Sequence, residues 1–496
     1  MTVSRDPWLG PEAEFMPEGR AEEPPPPEDR VSIVAQKRGN ARGAKGHRNG
    51  LSVKPKDSES KSAKVTERPK QAEDIYGRWP WVERSVWNER MLQALEKGVK
   101  GGKWFSLIDK VWKEQNLSAA WLRAFANQGS AGVDGQSIGQ FTGQLSQQLD
   151  RLHQEIKTGC YVPQPVKRCW IPKPGSVEKR PLGIPAVRDR IVQGALGNVL
   201  EPIFEQVFAQ HSYGFRPGRG CKDALRRVDS LLDQGMTWVV DVDLKSYFDT
   251  IPHEALMGRV EELISDGRLL ELLRQYLKAG VMDGLKGWEP TEQGTPQGAV
   301  ISPMLANLYL NPLDHLMAAN GYAMTRYADD FIVQCRTQNE AQGALARIEQ
   351  WAQANGLVVH PTKTRIVDAT QRGGFDFLGY HFERGMKWPR PKSMEKFRES
   401  IRRYTRRNQG QSMARIIAQL NPVMRGWFEY FKHSHFTTFE VVDGWVRGRL
   451  RSILRRWQCK RGRGRGIDHK RWPNVYFDQL GLYSLVRARA LVLHSR

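Results

Sequence analysis

Apolar positions along this chain change period several times, and each change marks a different kind of element. In SLIDKVWKEQNLSAAWLRAF (106–125) they have helical spacing, with Leu107, Ile108, Val111 and Trp112 on one face. From about 154 to 382, strand-like and helical stretches alternate, with Gly/Pro turns between them. Trp238, Val239 and Val240 open one buried-looking strand; Phe331, Ile332 and Val333 form another β-prone run. Between them, QGTPQGAVISPMLANLYL (293–310) starts as a tight Gly/Pro loop and continues as a helix, with Met304, Leu305 and Leu308 on its apolar side. From about 395 to 496 the pattern turns helical and basic, interrupted by KRGRGRG at 460–466. Residues 1–75, with EEPPPPEDR and KPKDSESKSAK, hold few large apolar side chains and read as a disordered tail; 76–153 read as a helical extension.

Charge sharpens the picture. The 496 residues carry a formal net charge of +22. Between 396 and 496 there are 23 Lys and Arg against 6 Asp and Glu, so most of the excess sits in the last fifth of the chain. That concentration points to a polyanion, most naturally nucleic acid, rather than to an evenly solvated basic surface. Trp427, Phe428, Tyr430, Phe431, Trp445 and Trp457 are interspersed with the basic groups, a mixture that suits RNA. The i, i+3, i+4 spacing of Trp427, Tyr430 and Phe431 favours packed core for those three. No run of about 18 apolar residues is present, so no membrane span is expected. Five scattered cysteines without a CxxC pair, and no signal-like start, suit a reducing cytosol.

Candidate chemistry lies in the acidic clusters. RYADDFIVQC (326–335) sets Asp329 beside Asp330 at the edge of a strand, where like charges repel. TWVVDVDLKSYFDTIPHEAL (237–256) carries Asp241 and Asp243 on one face if its strand alternates. Should the two strands be neighbours, their carboxylates could hold divalent cations, whose charge would offset the repulsion. Solvated loop acids with no common site are the alternative.

DLKSYFD (243–249), GTPQGAVISPMLANLYL and YADD, in that order, resemble the catalytic core of reverse transcriptases, and more narrowly bacterial group II intron-encoded reverse transcriptase/maturases. SAGVDGQSI (130–138), WIPKPGSVEKRPLGIPAVRDRIVQ (170–193), HSYGFRPGRGC (211–221), GLVVHPTKTRIV (356–367) and FDFLGYHF (375–382) follow the family's order. LNPVMRGWFEYFKHS (420–434) resembles its thumb/maturase segment, and WPNVYFDQLGLYSL (472–485) its C-terminal block.

The resemblance implies an α/β right-hand polymerase, with fingers and palm of reverse transcriptase type followed by an α-helical thumb/maturase region. It implies that Asp243, Asp329 and Asp330 are catalytic and bind two Mg²⁺ ions, with Mn²⁺ an alternative, and that the Leu244 carbonyl completes one site. Asp241 falls outside the motif and is assigned a structural or electrostatic role. Phe248 would exclude a 2′-OH by volume, with simple core packing as the alternative. Lys173 and Arg180 would grip the triphosphate, chosen from a block that also holds Lys167, Arg168 and Lys179. Gln297 would pack near the incoming sugar, and Lys363 would neutralise the departing pyrophosphate.

The expected partners are dNTPs, an RNA template with a DNA primer, and a group II intron RNA. The family's HNH endonuclease segment is not expected, since no cysteine pairs or His-rich block follow. A repair- or defence-associated reverse transcriptase shares the palm and is the nearest alternative. A catalytically dead RNA-binding splicing factor would have lost a metal ligand, and all three aspartates are present.

Overall fold

The computed structural model describes residues 75–172, 179–284, 286–460 and 462–494. The N-terminal tail to residue 74, and Lys173, lie outside them. Among the described residues the strands are β1 (Val166–Pro172), β2 (Lys179–Ile184), β3 (Trp238–Val242), β4 (Val281–Asp283), β5 (Gly287–Glu289), β6 (Ala323–Tyr327), β7 (Asp330–Cys335), β8 (Arg365–Asp368), β9 (Phe375–Phe377), β10 (Tyr380–Glu383) and β11 (Met386–Pro389). They form three sheets, ordered β2-β1-β4-β5, β6-β7-β3-β8 and β11-β10-β9.

The middle sheet is antiparallel throughout and buried on both faces, which explains its nearly unbroken apolar runs. Val240, Val242, Phe331 and Val333 pack into the main core with residues of the helices Ser302–Ala319 and Gln338–Ala354. Their alternates, Val239 and Ile332, join a second core with the helix Cys221–Asp233 and Phe375, Phe377, Tyr380 and Phe382 of the three-stranded sheet. The middle sheet stands where the resemblance expects the palm, and β1, β2, β4 and β5 form a second sheet where it expects the fingers.

The helical stretch at 106–125 divides into Ile108–Val111 and Glu114–Asn127. The Asp266 carboxylate accepts the Leu107 and Ile108 N–H groups at 2.6 and 2.8 Å, so a distant side chain caps the first segment. Asn116 then donates to the carbonyls of Lys110 and Ala195. Periodicity reads the buried face correctly but does not see the break.

Beyond the palm, the helices Pro391–Tyr404, Met413–Phe431 and Thr437–Trp457 enclose their own core. Val442, Val446, Leu450 and Ile453 form one apolar stripe of it. Trp427 stacks on Phe397 at 4.5 Å, and Phe431 is buried. Tyr430 donates to the Leu378 carbonyl at 2.7 Å while Tyr380 donates to the Tyr430 carbonyl at 2.6 Å. These aromatic residues therefore pack within the thumb and against the three-stranded sheet. No helix among the described residues is long and apolar enough to cross a membrane.

One buried ion pair ties the palm together. Arg326 is wholly buried, and its Nε donates to Asp314 Oδ1 at 2.8 Å. Its Nη1 donates to Asn307 Oδ1 at 2.8 Å and to the Ala328 carbonyl at 2.9 Å. Removing one partner strands a charge without water. Arg326→Ala or Asp314→Ala is expected to cost roughly 3–5 kcal/mol in urea unfolding, far more than a surface pair would.

Candidate active site

The β3–β7 ladder ends at Val242↔Phe331, so the next pair in register is Asp243 with Asp330. Asp241 pairs with Ile332, which puts Asp241, Asp243 and Asp330 on the same face of the sheet, the face toward the thumb. Asp329 belongs to the two-residue turn of the β6–β7 hairpin, closed by Tyr327↔Asp330. Ala328 occupies its other position at φ +60°, a left-handed conformation unfavourable for a residue with a Cβ. Gly214 presses against this turn: a Cβ there would meet the Ala328 nitrogen at 2.4 Å.

The carboxylates feel one another. Asp329 and Asp330 are exposed at the cleft surface, yet protein atoms crowd around both. That crowding is the main cause of an upward shift in each; Asp330 is pushed up to about 7, with Asp241 and Asp329 adding to the effect. For Asp329, the charge of Asp243 raises the pKa further, while Arg180 and Arg326 oppose it. Arg390 opposes the rise at Asp330. Asp241 is also raised by burial and is held by Arg365 at 3.3 Å.

Lys363 donates to Asp243 Oδ2 at 2.8 Å, an ion pair with both side chains substantially exposed. The segment bearing Lys363 is anchored by the His360 N–H on the Asp243 carbonyl at 2.7 Å and the Lys245 N–H on the Val358 carbonyl at 2.8 Å. These bonds flank Leu244, which forms a bridge with Val359 and is buried. Among the described residues, no three His, Cys, Asp or Glu side chains form a preassembled metal cage.

Phe248 and Gln297 come together elsewhere in the cleft. Both line a cavity of about 280 Å³ with Arg168, Trp170, Leu182 and Asp249. The loop carrying Gln297 is tied to the Phe248 turn by the Thr295 N–H on the Phe248 carbonyl at 2.7 Å. It is tied to β2 by the Gly183 N–H on the Gln297 carbonyl at 2.6 Å. At Gly298, φ +110°, a Cβ would lie 2.4 Å from the Gly183 carbonyl oxygen, so only glycine allows this approach. Arg168 pairs with Glu289 at 3.0 Å, whereas Arg180 is exposed and acts on Asp329.

Sequence reasoning did not single out Arg326, Asp314, Asn307 or Gly214. Arg326 stands immediately before YADD, but nothing local distinguishes a buried arginine from a surface one. Arg168 was noted as a neighbour of the chosen basic residues, not as a cavity residue.

Two family descriptions match this chain: "Reverse transcriptase (RNA-dependent DNA polymerase)" over residues 171–382, and "Group II intron, maturase-specific domain" over 394–472. Protein YkfC of Escherichia coli (strain K12) is 36% identical over 297 residues, covering 51% of this chain and 76% of YkfC. Group II intron-encoded protein LtrA of Lactococcus lactis subsp. cremoris is 38% identical over 195 residues, 39% of this chain. That match spans only 32% of LtrA. A putative COX1/OXI3 intron 2 protein of Saccharomyces cerevisiae is 38% identical over 166 residues, 34% of this chain and 19% of that protein.

A histidine near the turn yields a test. His211 accepts the Arg326 N–H through its backbone carbonyl at 3.0 Å. Burial, then the charges of Arg227 and Arg219, depress its imidazole pKa from 6.5 to about 4. Between those values the folded protein binds fewer protons than the unfolded chain, so stability is lost as pH falls through this window. In thermal melts from pH 7 to 4.5, His211→Asn should therefore gain stability relative to wild type as the pH drops.

With both family regions matched in order, and with the palm fold on which the acidic motifs converge, the chain belongs to the group II intron-encoded reverse transcriptases, RNA-directed DNA polymerases joined to a maturase domain.

Proposed function

We propose that this protein extends a primer 3′-OH with dNTPs on an RNA template at Asp243, Asp329 and Asp330, and that its basic helical region binds the group II intron RNA whose splicing and mobility it supports. The observation that carries the reading is the β3–β7 register, which brings carboxylates nearly ninety residues apart in the chain to one edge of one sheet face.

The donor set fits a hard divalent cation. Asp243, Asp329, Asp330 and the Leu244 carbonyl offer only oxygen; crowding by protein atoms and then the neighbouring carboxylates raise Asp330, and a cation would offset both. These residues would hold two Mg²⁺ ions, or Mn²⁺ in their place. When bound, the ions supply Lewis acidity for the attacking 3′-OH and the departing pyrophosphate.

The protein's own groups do the rest. Phe248, beside the cavity, limits the room for a 2′-OH, and Gln297 orients the sugar from the opposite loop. Arg180 supplies fixed positive charge beside Asp329 for the triphosphate. Lys173 is assigned the same task from its motif position alone. Lys363, mostly exposed and paired with Asp243, is a mobile cation able to follow negative charge to the leaving group. In the thumb, arginines such as Arg402, Arg407 and Arg449 crowd one another, as suits a polyanion.

Primer extension on an RNA template with Mg²⁺ tests the reading. Asp329→Ala/Asp330→Ala should lower the rate by roughly 10³-fold or more while keeping the fold. A well-folded wild type that makes no DNA would refute the polymerase assignment. Phe248→Ala should raise incorporation of rNTPs relative to dNTPs by roughly 10- to 100-fold, measured as a ratio of kcat/KM values.

A further inference from the structure

Phe215 is a bulky residue held at φ +54°, and it is 53% exposed. Both features are unfavourable. A β-carbon in the left-handed region strains the backbone, and a phenyl ring in water forfeits burial. Nothing in the loop lets the strain relax, because the backbone on either side is pinned. The Tyr213 N–H donates to the Arg326 carbonyl at 2.9 Å, and the Gly214 carbonyl accepts from Asn307 Nδ2 at 2.7 Å. Next along, Arg216 is buried, donating to the Ala209 and Ser212 carbonyls at 2.6 and 2.8 Å and pairing with Glu205 at 2.5 Å. The network that holds the catalytic hairpin thus also holds this ring out.

The ring stands 6.4 Å, centroid to centroid, from that of Tyr327, two residues before Asp329. Ser212 bridges to Arg326 on β6, so the pair lies at the β6 edge of the sheet. Phe248 and its cavity follow β3, on the other side of the carboxylates. If the incoming nucleotide occupies that cavity side, the β6 side faces the strand pair already made.

We infer that Phe215, with Tyr327, is an aromatic platform against which sugars and base edges of the template–primer duplex pack behind the primer 3′ end, and so a positioning residue for that end. This rests on the polymerase reading. An aromatic face suits the task because every base and sugar offers an apolar surface to it, so it grips without reading sequence. Strain and exposure are tolerable where a ligand covers the ring.

The test measures binding of a labelled primer–RNA template duplex by anisotropy, without dNTPs, beside extension kinetics and melting of the full chain. Phe215→Ala should weaken duplex binding roughly tenfold. The dependence of affinity on salt and the KM for dNTP should stay unchanged, because no phosphate contact is removed. Phe215→Trp should restore affinity and Phe215→Leu should not, which separates an aromatic contact with the duplex from any demand for apolar bulk in the fold. Wild-type affinity in Phe215→Ala, or full recovery with Leu, would overturn the inference. If wild type extends primers, such a result refutes the platform alone; if wild type makes no DNA, the polymerase reading itself fails.

Discussion

A single buried guanidinium sets the shape of this site. Arg326 reaches two acceptors on the helix Ser302–Ala319, Asp314 and Asn307, and the carbonyl of Ala328 within the hairpin turn. A two-residue turn carrying Ala at positive φ, followed by adjacent carboxylates, has little intrinsic reason to persist. The buried cation holds its backbone, and Gly214 fills the space against it. Because desolvation makes an unpaired arginine so costly, every acceptor around Arg326 is constrained, and the aspartates inherit that rigidity.

The second constraint is charge. Desolvation by crowding protein atoms is the largest cause of the raised pKa at Asp241, Asp329 and Asp330, ahead of their mutual repulsion. Arg180, Arg326, Arg365 and Arg390 each oppose it at one or more of these groups, and Lys363 pairs with Asp243, yet Asp330 still rises to about 7. The carboxylates thus incur both desolvation and mutual repulsion when ionised. A nucleic acid and a triphosphate would add more repulsion, so the same geometry that crowds the acids calls for a cation between them and the substrate.

Thumb and palm share a core. Phe431, on the helix Met413–Phe431, packs with Phe375, Phe377 and Tyr380, and reciprocal hydrogen bonds join Tyr380 and Leu378 to Tyr430. Hydrogen bonding to Cys221 is the main cause that raises the Tyr327 hydroxyl to about 12, while at Tyr430 burial raises the pKa first and Cys221 adds to it. Cys221 thus lies between the thumb residue Tyr430 and Tyr327, two residues before Asp329.

Much of this was legible along the chain. The apolar runs around Val239 and Ile332 name their strands, since sheets buried on both faces demand such runs. The Gly/Pro loop before Ser302 announces a close backbone approach followed by a helix, and the spacing of Trp427, Tyr430 and Phe431 announces packing. These are local properties, determined by steric and hydrophobic periodicity over a few residues. What needed the tertiary structure were pairings across long separations: Lys363 with Asp243, Asp266 capping the Ile108–Val111 helix, and Arg168 rather than Arg180 beside Phe248. Charged side chains look alike in sequence whether they meet water or a buried partner. Only the fold decides which arginine loses its water, and at Arg326 that decision holds the site together.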